Sequence, residues 1–307
     1  PYSNDMDPSI VLENETTVMT LPTARDQQGV LTGDYTQKSL DFIDASHTAG
    51  TPFFLYLAHS MPHVPLSVSD AFDHDHDGVC EYTEVIEEID WSVGQVLAKL
   101  QQLGIDNDTV VIFSSDNGPW LSKGADGGNA DPLNKGKGTV YEGGVREPTL
   151  ARWPGHIPAG RVETRPGTMV DWFPTLVNVC GGTMKTDRVY DGRDISGLLF
   201  DTGDRADYEF FMYSSSQGAQ AYRSGDMKLW ATGTPALYDL RADISETTDL
   251  SSARPALFQT MEDNLAWFRN SLLHENDPDD IDGDGMPDDY ELAHGLDPCY
   301  AIDAIVD

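Results

Sequence analysis

Apolar residues recur at three- and four-residue steps most clearly between residues 84 and 103. There Ile86, Ile89, Val93, Val96, Leu97, Leu100 and Leu103 line one face of a helix, and Gly104 supplies its stop. A shorter helix is predicted from Asp34, with Tyr35, Leu40, Phe42 and Ile43 on one face and an end before Gly50-Thr51-Pro52. Two runs read differently. Phe53-Phe54-Leu55-Tyr56-Leu57 and Thr109-Val110-Val111-Ile112-Phe113 are short and continuously apolar, the pattern of strands buried on both faces. Helix, strand, helix, strand is the order of βαβ units, so an α/β fold with a mostly parallel sheet flanked by helices is expected. Residues 149–153 read as a further strand and 171–179 as a short amphipathic helix. Around residue 200 the pattern shifts to short alternating runs, Glu209-Phe210-Phe211-Met212-Tyr213 and Met227-Lys228-Leu229-Trp230. These predict a small antiparallel sheet closed by a helix near 255–273. Residues 1–31 are rich in Asn, Asp, Thr and Pro and read as loop, and from about Glu275 Asp and Gly dominate. Three segments result: 1–200, 201–273 and 274–307.

Composition narrows the function classes. The chain of 307 residues carries 52 Asp and Glu against 19 Lys and Arg, a net charge of −33. Such a balance argues against nucleic acid as a partner, because phosphate binding draws its affinity from clustered cations. A hydrophobic fraction of 39% with 6 Trp, 12 Tyr and 11 Phe is enough to furnish a core, which excludes disorder of the whole. No apolar run approaches the roughly 18 residues that span a bilayer. The chain begins at Pro1 without an initiator Met or a signal peptide, so a mature, processed or truncated product is expected. Cys80, Cys180 and Cys299 are too few for a disulfide framework, and none lies in a C-x-x-C zinc pattern. Cys180, in an apolar run, is expected to be buried.

Parallel sheets place ligand sites beyond the carboxyl ends of their strands. After the first predicted strand comes Ala58-His59-Ser60-Met61-Pro62-His63-Val64-Pro65, and after the second Ser114-Ser115-Asp116-Asn117-Gly118-Pro119-Trp120. Asp116 and Asn117 offer a carboxylate and an amide carbonyl, hard oxygens that suit Ca²⁺ or Mg²⁺, although Asn-Gly-Pro also simply makes a turn. His63 could bind an anion, donate a proton or only pack. Lys137, between glycines, could reach an oxyanion or remain a solvated charge.

Taken together and in order, several segments resemble the arylsulfatase family. They are Pro52 to His59, Pro62-His63-Val64-Pro65, Phe113-Ser114-Ser115-Asp116-Asn117-Gly118, Gly136-Lys137-Gly138-Thr139 and Tyr141-Glu142-Gly143-Gly144-Val145-Arg146-Glu147-Pro148. The helix residues 85–94 and the later Ala236-Leu237-Tyr238-Asp239-Leu240 are similar to that family as well, so the likeness covers about residues 30–270. The resemblance implies a metal-dependent sulfuric ester hydrolase with a partial alkaline-phosphatase-like α/β sandwich and a small antiparallel C-terminal subdomain. It makes Asp116 and Asn117 calcium ligands, and His63 and Lys137 groups that contact the sulfate and the leaving oxygen. The substrate it implies is a sulfated small molecule or sulfated carbohydrate. The family's nucleophile is a formylglycine made from the Cys of a C-x-P-S-R motif, and no cysteine here is followed by x-Pro-Ser-Arg. The family's early Asp-Asp metal ligands are missing too. The chain therefore reads as the C-terminal part of a sulfatase, with the formylglycine region expected before Pro1. A phosphomonoesterase or phosphodiesterase of the same superfamily, or a non-catalytic calcium- or glycan-binding remnant, is the alternative.

Two further stretches have the spacing of EF-hand calcium loops. In the tail, Asp280, Asp282, Asp284, Asp288 and Glu291 occupy positions one, three, five, nine and twelve, with Gly285 at six. In the second stretch Asp73, Asp75, Asp77, Glu81 and Glu84 take the same positions, with Gly78 at six, and lead into the 84–103 helix. The alternatives are a solvated acidic tail and an Asp-capped helix start. Loops of this kind are weak and suit the calcium levels outside cells, so a secreted or periplasmic protein is expected.

Overall fold

A computed structural model describes residues 9–13, 16–21, 28–74, 81–188, 190–205, 208–213 and 218–271. It divides into two units, one of residues 1–112 and 119–129, the other of 113–118 and 130–307.

In the first unit the predicted N-terminal loop contains an antiparallel hairpin of β1 (Ser9–Glu13) and β2 (Thr16–Leu21), with a register shift between Val11 and Leu12. Helix α1 (Val30–Ala49) is longer than its apolar spacing suggests, because its buried face is Leu31, Thr32, Thr36, Ser39 and Ile43. Three of these five are hydroxyl residues, which a search for apolar positions misses. Their hydroxyls are satisfied locally and by helix α2 (Tyr82–Gln102): Thr36 Oγ1 lies 2.6 Å from Ser92 Oγ, and Ser39 Oγ donates to the Tyr35 carbonyl. Val85 and Ile89 of α2 pack with Met61, Leu66 and Val68 to form this unit's core. The start of α2 is fixed by a capping box in which Glu84 accepts from the Glu81 amide at 2.9 Å.

The expected mostly parallel sheet is overturned. Phe53–Leu57 forms no strand: Phe54 is 75% and Tyr56 82% exposed, while Phe53, Leu55 and Leu57 are half-buried. The run thus alternates and covers one face only, and among the described residues no strand offers it a ladder. The other apolar run gives β3 (Val111–Ser114), whose one partner among the described strands is β4 (Thr149–Arg152). Every strand pair with a defined register is antiparallel. An apolar run of five residues specifies burial, not the neighbours that would make a sheet parallel.

The second unit holds the antiparallel sheet that the alternating runs predict. Its strands β5 (Glu209–Tyr213), β6 (Ala219–Ser224), β7 (Met227–Trp230) and β8 (Ala236–Asp239) lie in sequence order. One face carries Tyr222, Leu229 and Leu237 against Met261 and Leu265 of the closing helix, Pro255–Ser271. On the other, Lys228 pairs across the ladder with Arg223 and Tyr238 and is fully buried. The short helix α3 (Glu142–Val145) approaches this second face, where the Tyr141 ring lies 5.1 Å from that of Trp230. Helix α4 (Trp172–Val179) matches the expected amphipathic segment, but it leaves Cys180 exposed.

Asp171 ties together the segment around α4. It is fully buried and accepts from the Thr168 amide at 2.6 Å, the Arg193 amide at 2.7 Å and Arg205 Nη2 at 3.0 Å. Removing one partner of a buried ion pair strands the other charge away from water, at a cost of about 3–5 kcal/mol. Asp171→Ala is expected to lose stability on that scale in urea denaturation, and a loss below about 1 kcal/mol would contradict this account.

Candidate active site

The loop Ser115-Asp116-Asn117-Gly118 follows β3 directly. Ser115 Oγ donates to the Asn117 carbonyl at 3.1 Å, and Asn117 Nδ2 donates to Asp116 Oδ1. Gly118 then lies against the Gly143-Gly144 pair of α3, with its amide donating to the Gly144 carbonyl at 3.3 Å. A Cβ at residue 118 would sit 1.8 Å from the Gly143 carbonyl oxygen, so only glycine allows this approach.

The loop that bears Lys137 rests on the same glycine pair. Thr139 closes a turn on the Gly136 carbonyl through its amide at 3.2 Å and its hydroxyl at 2.8 Å, leaving half-buried Lys137 within the turn. A Cβ at Gly144 would meet the Thr139 carbonyl at 2.2 Å and the Gly136 carbonyl at 2.6 Å. The Gly143 amide donates to Asn134 at 2.8 Å. Asp116, Asn117 and Lys137 therefore belong to one unit and are fastened to one pivot.

Glu147 joins this site without having been assigned a role from sequence. Burial, then the negative charge of Asp116, push its carboxyl up to about 7, against the pull of a hydrogen bond with Ser115. Its Oε1 is buried without a hydrogen-bond partner. A spacing argument could not isolate Glu147, because Arg146-Glu147-Pro148 reads as an ordinary approach to a strand.

His63 belongs to the first unit. Its Nδ1 lies 2.7 Å from the carbonyl of Val64. A carbonyl only accepts, so Nδ1 carries the hydrogen and Nε2 is the position that gains or gives a proton. The imidazole tilts against the Trp120 ring at 5.6 Å, and Lys123 Nζ stands 4.5 Å from the centre of that ring.

The calcium expectations can be set against this geometry. Asp116, Asn117 and Glu147 supply hard oxygens, and a carboxyl driven towards its neutral form by burial and then by a neighbouring carboxylate is a group that a divalent cation would relieve. These residues fit part of a calcium shell. Among the described residues, no three His, Cys, Asp or Glu side chains gather to complete one. In the second candidate loop, Glu84 uses its oxygens on the amides of His74 and Glu81, both at 2.9 Å. Asp75 and Asp77 of that loop, and all of Asp280, Asp282, Asp284, Asp288 and Glu291, lie outside the described residues.

The raised carboxyl of Glu147 has a defined thermodynamic sign. Between its ordinary value of 4.5 and about 7 the folded chain holds a proton that the unfolded chain has released. Folding stability therefore falls as pH rises through that window. With EDTA present, Glu147→Gln should flatten this part of the stability profile relative to the unaltered chain. Parallel profiles for the two proteins would remove the assignment.

Comparison with known proteins points to a single family. The family model described as Sulfatase matches residues 3–182. The N-acetylgalactosamine-6-sulfatase of Mus musculus is 43% identical over 185 residues, covering 60% of this chain and 35% of that protein. Arylsulfatase A of Bos taurus is 39% identical over 189 residues, covering 60% of this chain and 36% of that protein. The chain thus spans about a third of the length of these curated relatives. Among solved structures, Ps i-CgsB in complex with k-i-k-neocarrahexaose aligns with a TM-score of 0.73 at 27% identity, over 84% of this chain and 57% of that one. The PsFucS1 sulfatase from Pseudoalteromonas sp. shares the fold, with a TM-score of 0.71. With the family model matching more than half of its residues, the chain belongs to the sulfatase family.

Proposed function

We propose that this chain is the C-terminal part of a calcium-dependent sulfuric ester hydrolase that acts on a sulfated carbohydrate. The observation that carries the reading is the fastening of Asp116-Asn117-Gly118 and of the Lys137 turn to one glycine pair. It brings a cation-ligating loop and an ammonium-bearing loop under common control. The carbohydrate is suggested by the N-acetylgalactosamine-6-sulfatase relatives and by the neocarrahexaose complex of Ps i-CgsB.

In this reading residues 1–200 form the catalytic segment, 201–273 the supporting subdomain and 274–307 an acidic calcium-binding tail. Asp116 and Asn117 would hold the cation through oxygen. Calcium there would supply positive charge to orient a sulfate and offset charge growing on its bridging oxygen. Lys137 binds the sulfate oxygens, and His63 is assigned to contact the sulfate and the leaving oxygen. Breakage of the sulfur–oxygen bond needs a nucleophile, for which the family uses formylglycine. The 307 residues contain no C-x-P-S-R from which to make one. That feature favours a second reading, a calcium- or glycan-binding protein on a sulfatase scaffold. Calcium loops tuned to extracellular concentrations support secretion or a periplasmic location.

Two measurements test the reading. The purified chain should hydrolyse no aryl sulfate above a Lys137→Ala control, and measured turnover above that control would contradict the assigned incompleteness. Asp116→Ala should weaken one class of calcium sites in calorimetric titration by at least about tenfold. An isotherm unchanged by the substitution would sink the metal assignment at this loop.

A further inference from the structure

We propose that Lys228, Glu142 and Glu246 form a buried positioning cluster that sets the geometry of both site loops through the Gly143-Gly144 pivot. The proposal rests on the sulfatase reading only for what those loops bind. Lys228 Nζ lies 2.8 Å from Glu142 Oε1 and 2.9 Å from Glu246 Oε1, and all three side chains are shut off from solvent. Glu246 Oε2 accepts the backbone amide of Glu142 at 2.7 Å. Glu142 is therefore held at its main chain by one carboxylate and at its side chain by the ammonium. Arg146 and Arg223 guanidinium nitrogens stand 3.7 and 3.8 Å from its second oxygen.

The two residues after Glu142 are the glycines that carry the site. Gly143 accommodates Gly118 and donates its own amide to the Asn134 carbonyl, and Gly144 lies against the Gly136–Thr139 turn. A displacement of Glu142 is handed on to both loops, because the backbone approaches at Gly118, Gly143 and Gly144 leave no slack. None of the three charged residues lies in a candidate site loop, so they are positioning residues and not catalytic ones.

Two features argue that the cluster specifies position more than it adds stability. A buried ion pair is replaceable by apolar groups of similar volume at little or no loss, since desolvation offsets the attraction. Yet strand β7 places a lysine at its centre, between Arg223 and Tyr238 of the neighbouring strands. Glu246 also adopts a left-handed backbone, φ 51°, which is unfavourable for a residue with a Cβ. That conformation is held where its carboxylate reaches both Lys228 and the Glu142 amide.

The test uses the full chain with Lys228→Met and Glu246→Gln combined, which removes one charge of each sign and leaves Glu142 with its arginines. Leu265→Ala, on the opposite face of the sheet, serves as a control that loosens the same subdomain. Hydrogen exchange over residues 116–118 and 134–144 should accelerate at least about tenfold in the double variant, with α1 unchanged, and should not do so in the control. Terbium luminescence should report at least about tenfold weaker binding of the lanthanide at the Asp116 loop in the double variant alone. Unchanged exchange in those segments, or an acceleration matched by Leu265→Ala, would overturn the proposal. If terbium binds the unaltered chain no better than it binds Asp116→Ala, the metal reading fails while the exchange comparison still decides the positioning. Should the double variant not fold, Glu246→Gln alone is put through the same comparison.

Discussion

Backbones can pass as close as those of Gly118 and Gly143 only where no Cβ intervenes, and the candidate site is organised around that approach. A methyl group at residue 118 would have to share space with a carbonyl oxygen 1.8 Å away. The turn after β3 meets there the lysine-bearing turn and the start of α3, two segments that adjoin each other later in the chain. Because the contacts are backbone to backbone, they fix where the side chains of Asp116, Asn117 and Lys137 begin. Behind the glycines stands a fully buried Lys228 with its two carboxylates, so the exact seating of a polar loop depends on charge buried in the sheet beside it.

An overall charge of −33 would oppose the anionic substrate of the proposed reading, but distance limits that opposition. Exposed charges are screened over about 8 Å at physiological ionic strength, so most of the acidic surface contributes little at the site. What matters is the charge within a few ångströms. There burial, and after it the negative charge of Asp116, push the Glu147 carboxyl up to about 7. In the proposed reading a cation held there would reverse the local sign and act together with Lys137.

Several elements were legible because a single period dominates them. Helix α2 follows from its three- and four-residue spacing, and β5 and β7 from alternation. Helix α1 was read too short because hydroxyls fill its buried face. The hairpin of β1 and β2 was missed because Asn, Asp, Thr and Pro in the surrounding sequence signal turns. Alternation in Met227-Lys228-Leu229-Trp230 is compatible with a solvated lysine, but Lys228 and Leu229 on the two faces of β7 are both fully buried. Alternation shows that successive residues face opposite ways, and it does not say that one of those ways is water.

The order of the segments around His63, Asp116, Lys137 and Glu142 is a property of the sequence and was enough to indicate the family. So was the chemistry each residue type can perform, since carboxylate, imidazole and ammonium carry it wherever they stand. Tertiary structure alone decided which of these groups share a unit, that Glu147 lies beside Asp116, and that Gly118 rests on Gly143. The reason is physical: composition and spacing act within a few residues, whereas desolvation, charge repulsion and close backbone approach act between segments that only folding brings together.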